Sequence, residues 1–294
     1  MISIIICSIN EILFEQFARN VRDSVGLEHE IIRIDNTTTK YSLTKAYNIG
    51  ANIAKYPYLC FVHEDVLFRT NEWGKNLVSF FSKNEKAGVV GVAGSSVKTL
   101  VPSIWANGLY DTDHYNLIQY YPNVEKSAHQ KSNVGLGIDY VEVQTLDGVL
   151  LFTTNDIWKK NIFDERFDGF HCYDLDFCIQ VGRTFKIYVA HTVLLEHFSV
   201  GSLNKDWINN SIQLSKKWGK ILPLGKVPKH HLKAIEWNNK KVLFFRMNIL
   251  KVPLLKILYH FFSWGYFKNF SILNHLKFIR ELYILKYKKV KVGE

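Results

Sequence analysis

Tyr58-Leu-Cys-Phe-Val-His-Glu-Asp65-Val66 is an apolar run that ends in an acidic cluster. An aromatic and β-branched run without a turn residue predicts a buried strand, which places His63, Glu64 and Asp65 at its carboxyl end. Open α/β sheets bind ligands at that edge. Two carboxylates and an imidazole there suit a divalent cation and, through it, a phosphate. A solvated polar turn at a strand end would read the same way in isolation, so the flanking sequence has to discriminate.

Upstream, Ser3–Ile9 predicts another buried strand, and Asn10 can cap a helix with Leu13, Phe17 and Val21 on one face. Glu30–Asp35 reads as a second strand ending in an acid. A turn at 36–39 leads to a helix over Leu43–Lys55, with Ala46, Ile49, Ile53 and Ala54 inward and Pro57 as its stop. The order β-α-β-α-β implies parallel strands with right-handed crossovers. Strand ends at Ser8/Asn10, Asp35 and His63–Asp65 then converge on one edge. Neither G-x-G-x-x-G nor a P-loop follows the first strand, so phosphate would be neutralised by metal rather than by a cradle of backbone N–H groups. The same absence argues against a nucleotidyltransferase.

Downstream, Trp73–Ser82 predicts an amphipathic helix and Gly88–Gly94 a glycine-interrupted strand. Residues 95–137 lack periodicity and read as a long loop, functional or mobile. Val141–Gly148 resumes strand-like alternation and closes on Asp147-Gly148, a pair that also initiates turns. After a short helix at Asp156–Asn161, Phe163–Gln180 is rich in acids. Its latter part has helical spacing, with Leu175, Cys178 and Ile179 inward and Asp174 in the first turn, where the helix dipole favours a carboxylate. Asp176 falls on another face of that helix. His171 lies one turn before Asp174, among aromatics that suit a packed histidine equally well. Lys186–Ala190 is a further strand, and Val193–Phe198 carries Glu196-His197. Trp207–Trp218 is a helix, and Pro223 and Pro228 mark a connection.

The 294 residues are 47% hydrophobic and 22% charged, which excludes disordered, collagen-like and disulfide-scaffold classes. Cys7, Cys60, Cys172 and Cys178 lack metal-site spacing and read as reduced thiols of a cytoplasmic protein. No leader pattern or membrane-spanning apolar stretch is visible. The net charge of +10 is uneven. Residues 201–294 hold 19 Lys+Arg against 4 Asp+Glu, a net +15, and the first two hundred residues carry −5. An acidic body with a basic tail points to a polyanion or an anionic membrane surface. In that tail Leu254, Ile257, Leu258, Phe261 and Phe262 form one helical stripe, and Ile272, Leu276, Ile279 and Tyr283 form another. Basic amphipathic helices suit peripheral contact with the inner membrane face, or packing on the body or on a second subunit as a homodimer. Basic residues interleaved with apolar stripes, rather than lining a stacking groove, argue against nucleic acid. A catalytically silent protein that binds anionic surfaces is the competing reading of this tail.

Together these residues resemble the GT-A nucleotide-sugar glycosyltransferases, specifically the family-2-like inverting group of bacterial polysaccharide enzymes. The resemblance implies a Rossmann-like, mostly parallel mixed sheet flanked by helices over residues 1–204, with 205–294 as a basic, mostly helical extension. It further implies that Ser8, Asp35 and Asn48, in Asn48-Ile-Gly50, serve the nucleotide together with His63, Glu64 and Asp65. His63-Glu-Asp65 occupies the D-x-D position, with His63 where the first Asp is usual and Asp65 as metal ligand. Asp147 and Gly148 match the segment under the acceptor; beside them, His171 can orient the base or bind the acceptor, and Asp176 reads as a structural or acceptor-binding acid rather than the base. Tyr173-Asp174 matches the block that supplies the base, with Tyr173 in place of Glu and Asp174 as base. His197 completes the metal site. The implied activity is metal-dependent inverting transfer, with Mn²⁺ or Mg²⁺, from a UDP-sugar to a saccharide or lipid-linked glycan.

Overall fold

The computed structural model describes residues 1–109, 111–121, 128–131 and 137–263, and positions 273, 276, 277, 279, 280 and 283. The chain runs β1 (Ile2–Ser8), α1 (Glu11–Ser24), β2 (His29–Asp35), α2 (Leu43–Ile53), β3 (Tyr58–Val62), β4 (Val66–Phe68), α3 (Trp73–Lys83), β5 (Ala87–Gly91) and β6 (Ala93–Ser95). It continues through β7 (Asp113–Gln119), β8 (Ala128–Lys131), β9 (Tyr140–Val143), β10 (Thr145–Leu146), β11 (Leu150–Thr154), α4 (Asn155–Lys160), α5 (Tyr173–Gly182), β12 (Lys186–Ala190) and β13 (Leu195–His197). Three helices follow: α6 (Lys205–Trp218), α7 (Lys229–Ile249) and α8 (Leu254–Ser263).

The larger sheet has the order β2-β1-β3-β11-β5-β12-β9. β1 lies parallel to both β2 and β3, with Ser8 opposite Asp35 and Ile6 opposite Val62, so the first three strands end together as the sequence implies. Antiparallel β11 and β9 make the sheet mixed. Ile4, Ile5, Ile6, Phe61, Val62, Val89, Val90 and Phe152 are fully buried, which accounts for apolar runs without alternation. Side-chain caps start the flanking helices: Asn10 Oδ1 accepts from Leu13 N, and Ser42 Oγ accepts from Lys45 N.

A second sheet, β10-β6-β7-β13-β4 with β8 on β7, was not visible in the sequence pattern. Two stretches that read as single strands are each broken. The chain leaves the large sheet after Gly91 and enters the second at Ala93, and again leaves after Val143 and enters at Thr145. β7 sits inside the stretch expected to be an unpatterned loop. Asp113, His114 and Asn116 are buried there, so its interior positions carry polar residues and no apolar alternation marks it.

α6 and α7 pack on the body. Trp207, Ile208 and Ile212 join Val101, Leu243, Phe244, Met247 and Ile257 in one buried cluster. Leu214 and Leu222 join Phe167, Cys172, Leu175 and Ile179 in another. Of the first expected apolar stripe, Ile257 is buried in the former cluster. Of the second, Leu276, Ile279 and Tyr283 are helical and exposed, and Ile272 lies outside the described residues. No helix among the described residues is long and apolar enough to cross a membrane.

Candidate active site

The turn from β3 to β4 presents His63 and Asp65, and β13 brings His197 beside them by pairing antiparallel with β4, His197 opposite Val66. One ligand atom from each of the three side chains lies within 4.8 Å of the others. His197 Nε2 is 3.7 Å and His63 Nδ1 4.0 Å from the Asp65 carboxylate. Asp65 also anchors β13, since its carbonyl accepts from Phe198 N.

The outer nitrogen of each imidazole is engaged. His197 Nδ1 donates to Gln119 Oε1 at 3.1 Å, so the neutral ring presents the Nε2 lone pair to Asp65, with the Ser199 hydroxyl 3.4 Å from the same nitrogen. His63 Nε2 lies 2.8 Å from the Tyr173 hydroxyl, so with Nε2–H donating, Nδ1 is bare toward Asp65. Partners of this kind fix tautomer and ring orientation in metal sites. Burial, and secondarily His197, holds His63 below the ordinary imidazole range, in the neutral form that a ligand needs. The residues present fit a divalent cation.

Two adjoining cavities flank this triad. One of about 420 Å³ is lined by Cys7, Ile9, Leu13, Tyr47, Glu64 and Asp65. The other, about 380 Å³, is lined by Trp105, Asp147, Gly148, Asp174, Trp207 and Arg246. His63, Phe170, His171, Ser199, Gly201 and Ser202 border both, so the two form one cleft with His63 at the divide.

Asp174 opens α5 facing the second cavity. Its Oδ2 accepts from Gly148 N at 3.0 Å and its Oδ1 from Leu175 N at 2.8 Å. Burial, with Asp147 as a second cause, nevertheless pushes its carboxyl up to about 7. A carboxylate so raised is a stronger base at neutral pH than an exposed one. Gly148 is required sterically, because a Cβ there would meet the Tyr173 hydroxyl at 1.9 Å. Tyr173 therefore reaches His63 only past a glycine.

A model of the Glycosyltransferase like family matches residues 3–217, nearly three quarters of the sequence. The chain belongs to that family. Its fold is that of the GT-A enzymes, as solved structures show. The chain superposes on GalNAc-T7 with UDP, GalNAc and Mn²⁺ at a TM-score of 0.53 and 10% identity, over 96% of this chain and 54% of that one. It superposes on residues 1–349 of TarS from S. aureus in complex with UDP-GlcNAc at 0.53 and 14% identity, over 87% and 77% of the two chains. Against the longer TarS structure it covers 53% of that chain, so it spans about half the length of two of these relatives. No curated protein matches in sequence.

Within this glycosyltransferase the expected site residues separate. His63, Asp65, Asp147, Gly148, His171, Asp174 and His197 all line the cleft. Glu64 lines it too, but its carboxylate is held by Ile9 N and Asn10 N, where it fastens the β1–α1 turn. Asp35 is exposed at the β2 end and caps Thr37. Ser8 is buried, and its hydroxyl has no hydrogen-bond partner among the described residues. Asn48 is not brought to the cleft: its amide donates to Phe163 O and Glu165 Oε1 and accepts from Phe163 N, latching α2 to the segment before α5. Gly50 lets α2 rest on β1, where a Cβ would lie 2.4 Å from Ile5 Cγ2. Asp176, read as a structural or acceptor-binding acid, takes the structural place: it points away from the cleft and is buried between Lys217 Nζ and Trp218 Nε1, each 2.7 Å from its Oδ1. The half-turn between positions 174 and 176 on a helix separates the two acids.

Sequence reading assigned no role to Gln119, Trp105, Phe170 or Arg246. Gln119 lies in the stretch without periodicity. Phe170, an exposed aromatic next to His171, was the one readable signal.

Proposed function

We propose that this protein transfers a sugar from a nucleoside-diphosphate sugar, in this reading a UDP-sugar, to a hydroxyl of a saccharide or lipid-linked glycan with inversion. One observation carries the proposal: His63, Asp65 and His197 stand at the divide of a single cleft whose far half holds Asp174. The half lined by β1, α1, α2 and Glu64 takes the nucleotide, and the half with Asp147 and Asp174 takes the acceptor.

His63 Nδ1, Asp65 and His197 Nε2 would hold a divalent cation, which supplies positive charge to the departing diphosphate. Two imidazoles beside one carboxylate suit Mn²⁺ better than Mg²⁺, which prefers oxygen ligands. Asp174 takes the proton of the attacking hydroxyl, while Gly148 N–H and Leu175 N–H fix its carboxylate. Phe170 and Trp105 offer faces on which a sugar ring can stack. A single base suffices for an inverting displacement, and in the same proposal the basic region from residue 205 is an extension of the catalytic domain whose first helix, α6, packs on that domain and supports α5.

The test is nucleoside diphosphate release by the purified protein from a panel of sugar nucleotides, with and without Mn²⁺. Cation-dependent release with one donor, and an inverted anomeric product, are expected. Release that is indifferent to chelation would overturn the assignment of the triad.

The exposed Leu273, Leu276 and Tyr283, with exposed Lys277 and Arg280 between them, support contact of the C-terminal segment with an anionic membrane face. Flotation with anionic but not neutral liposomes is the expected result; concentration-dependent dimerisation without flotation would assign the stripe to a second copy instead.

A further inference from the structure

Arg246 is unlike the other arginines of the body. Arg33, Arg69 and Arg166 are paired with Glu11, Glu196 and Asp164, and Arg19, Arg22 and Arg183 stand in solvent. Arg246 is partly buried, lines the half of the cleft that holds Asp174, and has no acid, carbonyl or ring partner among the described residues. A partly buried guanidinium with no counter-charge keeps its planar set of N–H donors free for an anion in the cavity that it lines. Its position is fixed, because Leu243, Phe244 and Met247 on the same helix are fully buried. The same cavity is bordered by Ser202, whose hydroxyl can donate, and Arg246 is absent from the lining of the nucleotide half. The segment that supplies it carries the chain's positive charge.

We propose that Arg246 forms an anion subsite in the acceptor half of the cleft, so that the acceptor carries a phosphate or carboxylate near the hydroxyl that receives the sugar. The inference rests on the reading of the cleft given above and names the acceptor's chemical class. A planar guanidinium meets either anion through two parallel hydrogen bonds. Asp147 and Asp174 in the same cavity repel an anion from the reacting end, so the subsite at Arg246 would also orient the acceptor, charge outward and hydroxyl toward Asp174.

The experiment measures equilibrium binding of sn-glycerol 3-phosphate against glycerol, and of glucuronate against glucose, to the full chain with and without saturating UDP and Mn²⁺. The wild type is expected to bind at least one charged probe about tenfold or more tightly than its neutral counterpart. Arg246→Met should erase that difference, Arg246→Lys should keep part of it, and UDP affinity should stay within about twofold. Thermal unfolding of both variants reports their folding. Equal binding of charged and neutral probes by the wild type would overturn the proposal. So would a loss of UDP affinity in Arg246→Met as large as the loss of probe affinity, which would give the guanidinium to the donor's diphosphate. Failure of UDP and Mn²⁺ to bind would count against the donor reading, while the probes in unliganded protein would still score Arg246.

Discussion

The two halves of the cleft are built differently. The half proposed for the nucleotide takes one wall from β1, α1, α2 and the β3–β4 turn, all within the first 65 residues and joined by short connections, and is closed by Phe170, His171, Ser199, Gly201, Ser202 and Asn204. The half proposed for the acceptor is gathered from His63, His197 and residues 104–105, 147–148, 170–175, 199–203, 207 and 246, stretches that meet only through tertiary packing. Regular elements that share one sheet edge build the first wall of the nucleotide side. Loops and helix ends on the other side can change with little cost to it, so the acceptor side is where such an enzyme sets its specificity.

Substitutions that act on one half alone test this division. Asp174→Asn should lower transfer by about 10²–10⁴-fold yet leave UDP affinity unchanged, because only the acceptor's proton loses its base. Asp65→Ala should abolish transfer and cation-dependent UDP binding together. If Asp174→Asn impaired UDP binding equally, the halves would not be separable. Tyr173→Phe removes the partner of His63 Nε2 and should weaken Mn²⁺ binding about 10–100-fold with the fold intact, measured by metal titration. His63→Asp supplies an oxygen ligand and should shift preference toward Mg²⁺.

The pH dependence follows from Asp174, whose carboxyl is pushed up to about 7. The ionised form is the base, so transfer should rise with pH and level off above about 7. Stability should run the other way. Between the ordinary carboxylate range and about 7 the folded protein keeps a proton that the unfolded chain releases, so stability falls as pH rises through that window. Asp174→Asn should flatten this dependence, as followed by unfolding at pH 5 and pH 8. The smallest effect on transfer is expected for Lys217→Met. It should cost about 3 kcal/mol of stability by leaving Asp176 buried without its cation, with activity per folded molecule nearly unchanged.

Much of the nucleotide side was legible because its signals are local. An apolar run followed by His63-Glu-Asp65 states a strand and its end, and Asn10 and Ser42 state where helices start. Asp174 was legible as an acid in a first helical turn. The second sheet was not, because β7 buries the polar Asp113, His114 and Asn116 and so shows no apolar alternation; Asn116 donates to His191 O and Val193 O, more than seventy residues on, while Asp113 accepts from Asn107 N, Gly108 N and Leu109 N in the preceding loop. Asn48 and Asp176 have the residue types of a binding site, yet both are consumed by packing, and a sequence does not show which polar side chains are already satisfied. Arg246 poses the reverse difficulty, since being unpaired is a property of its surroundings.

Lys217 Nζ, 2.7 Å from both Asp164 and Asp176, and Trp218 Nε1 on Asp176 tie α6 to α5 from behind, while Asn210 donates to Asp168 O and His171 O. The helix that carries Asp174 is thus held by residues lying beyond the last strand. A chain cut at residue 204 would retain every ligand of the triad but lose the backing of Asp174. The smallest piece able to work extends at least through Leu222, and dissection of this protein should begin from that boundary.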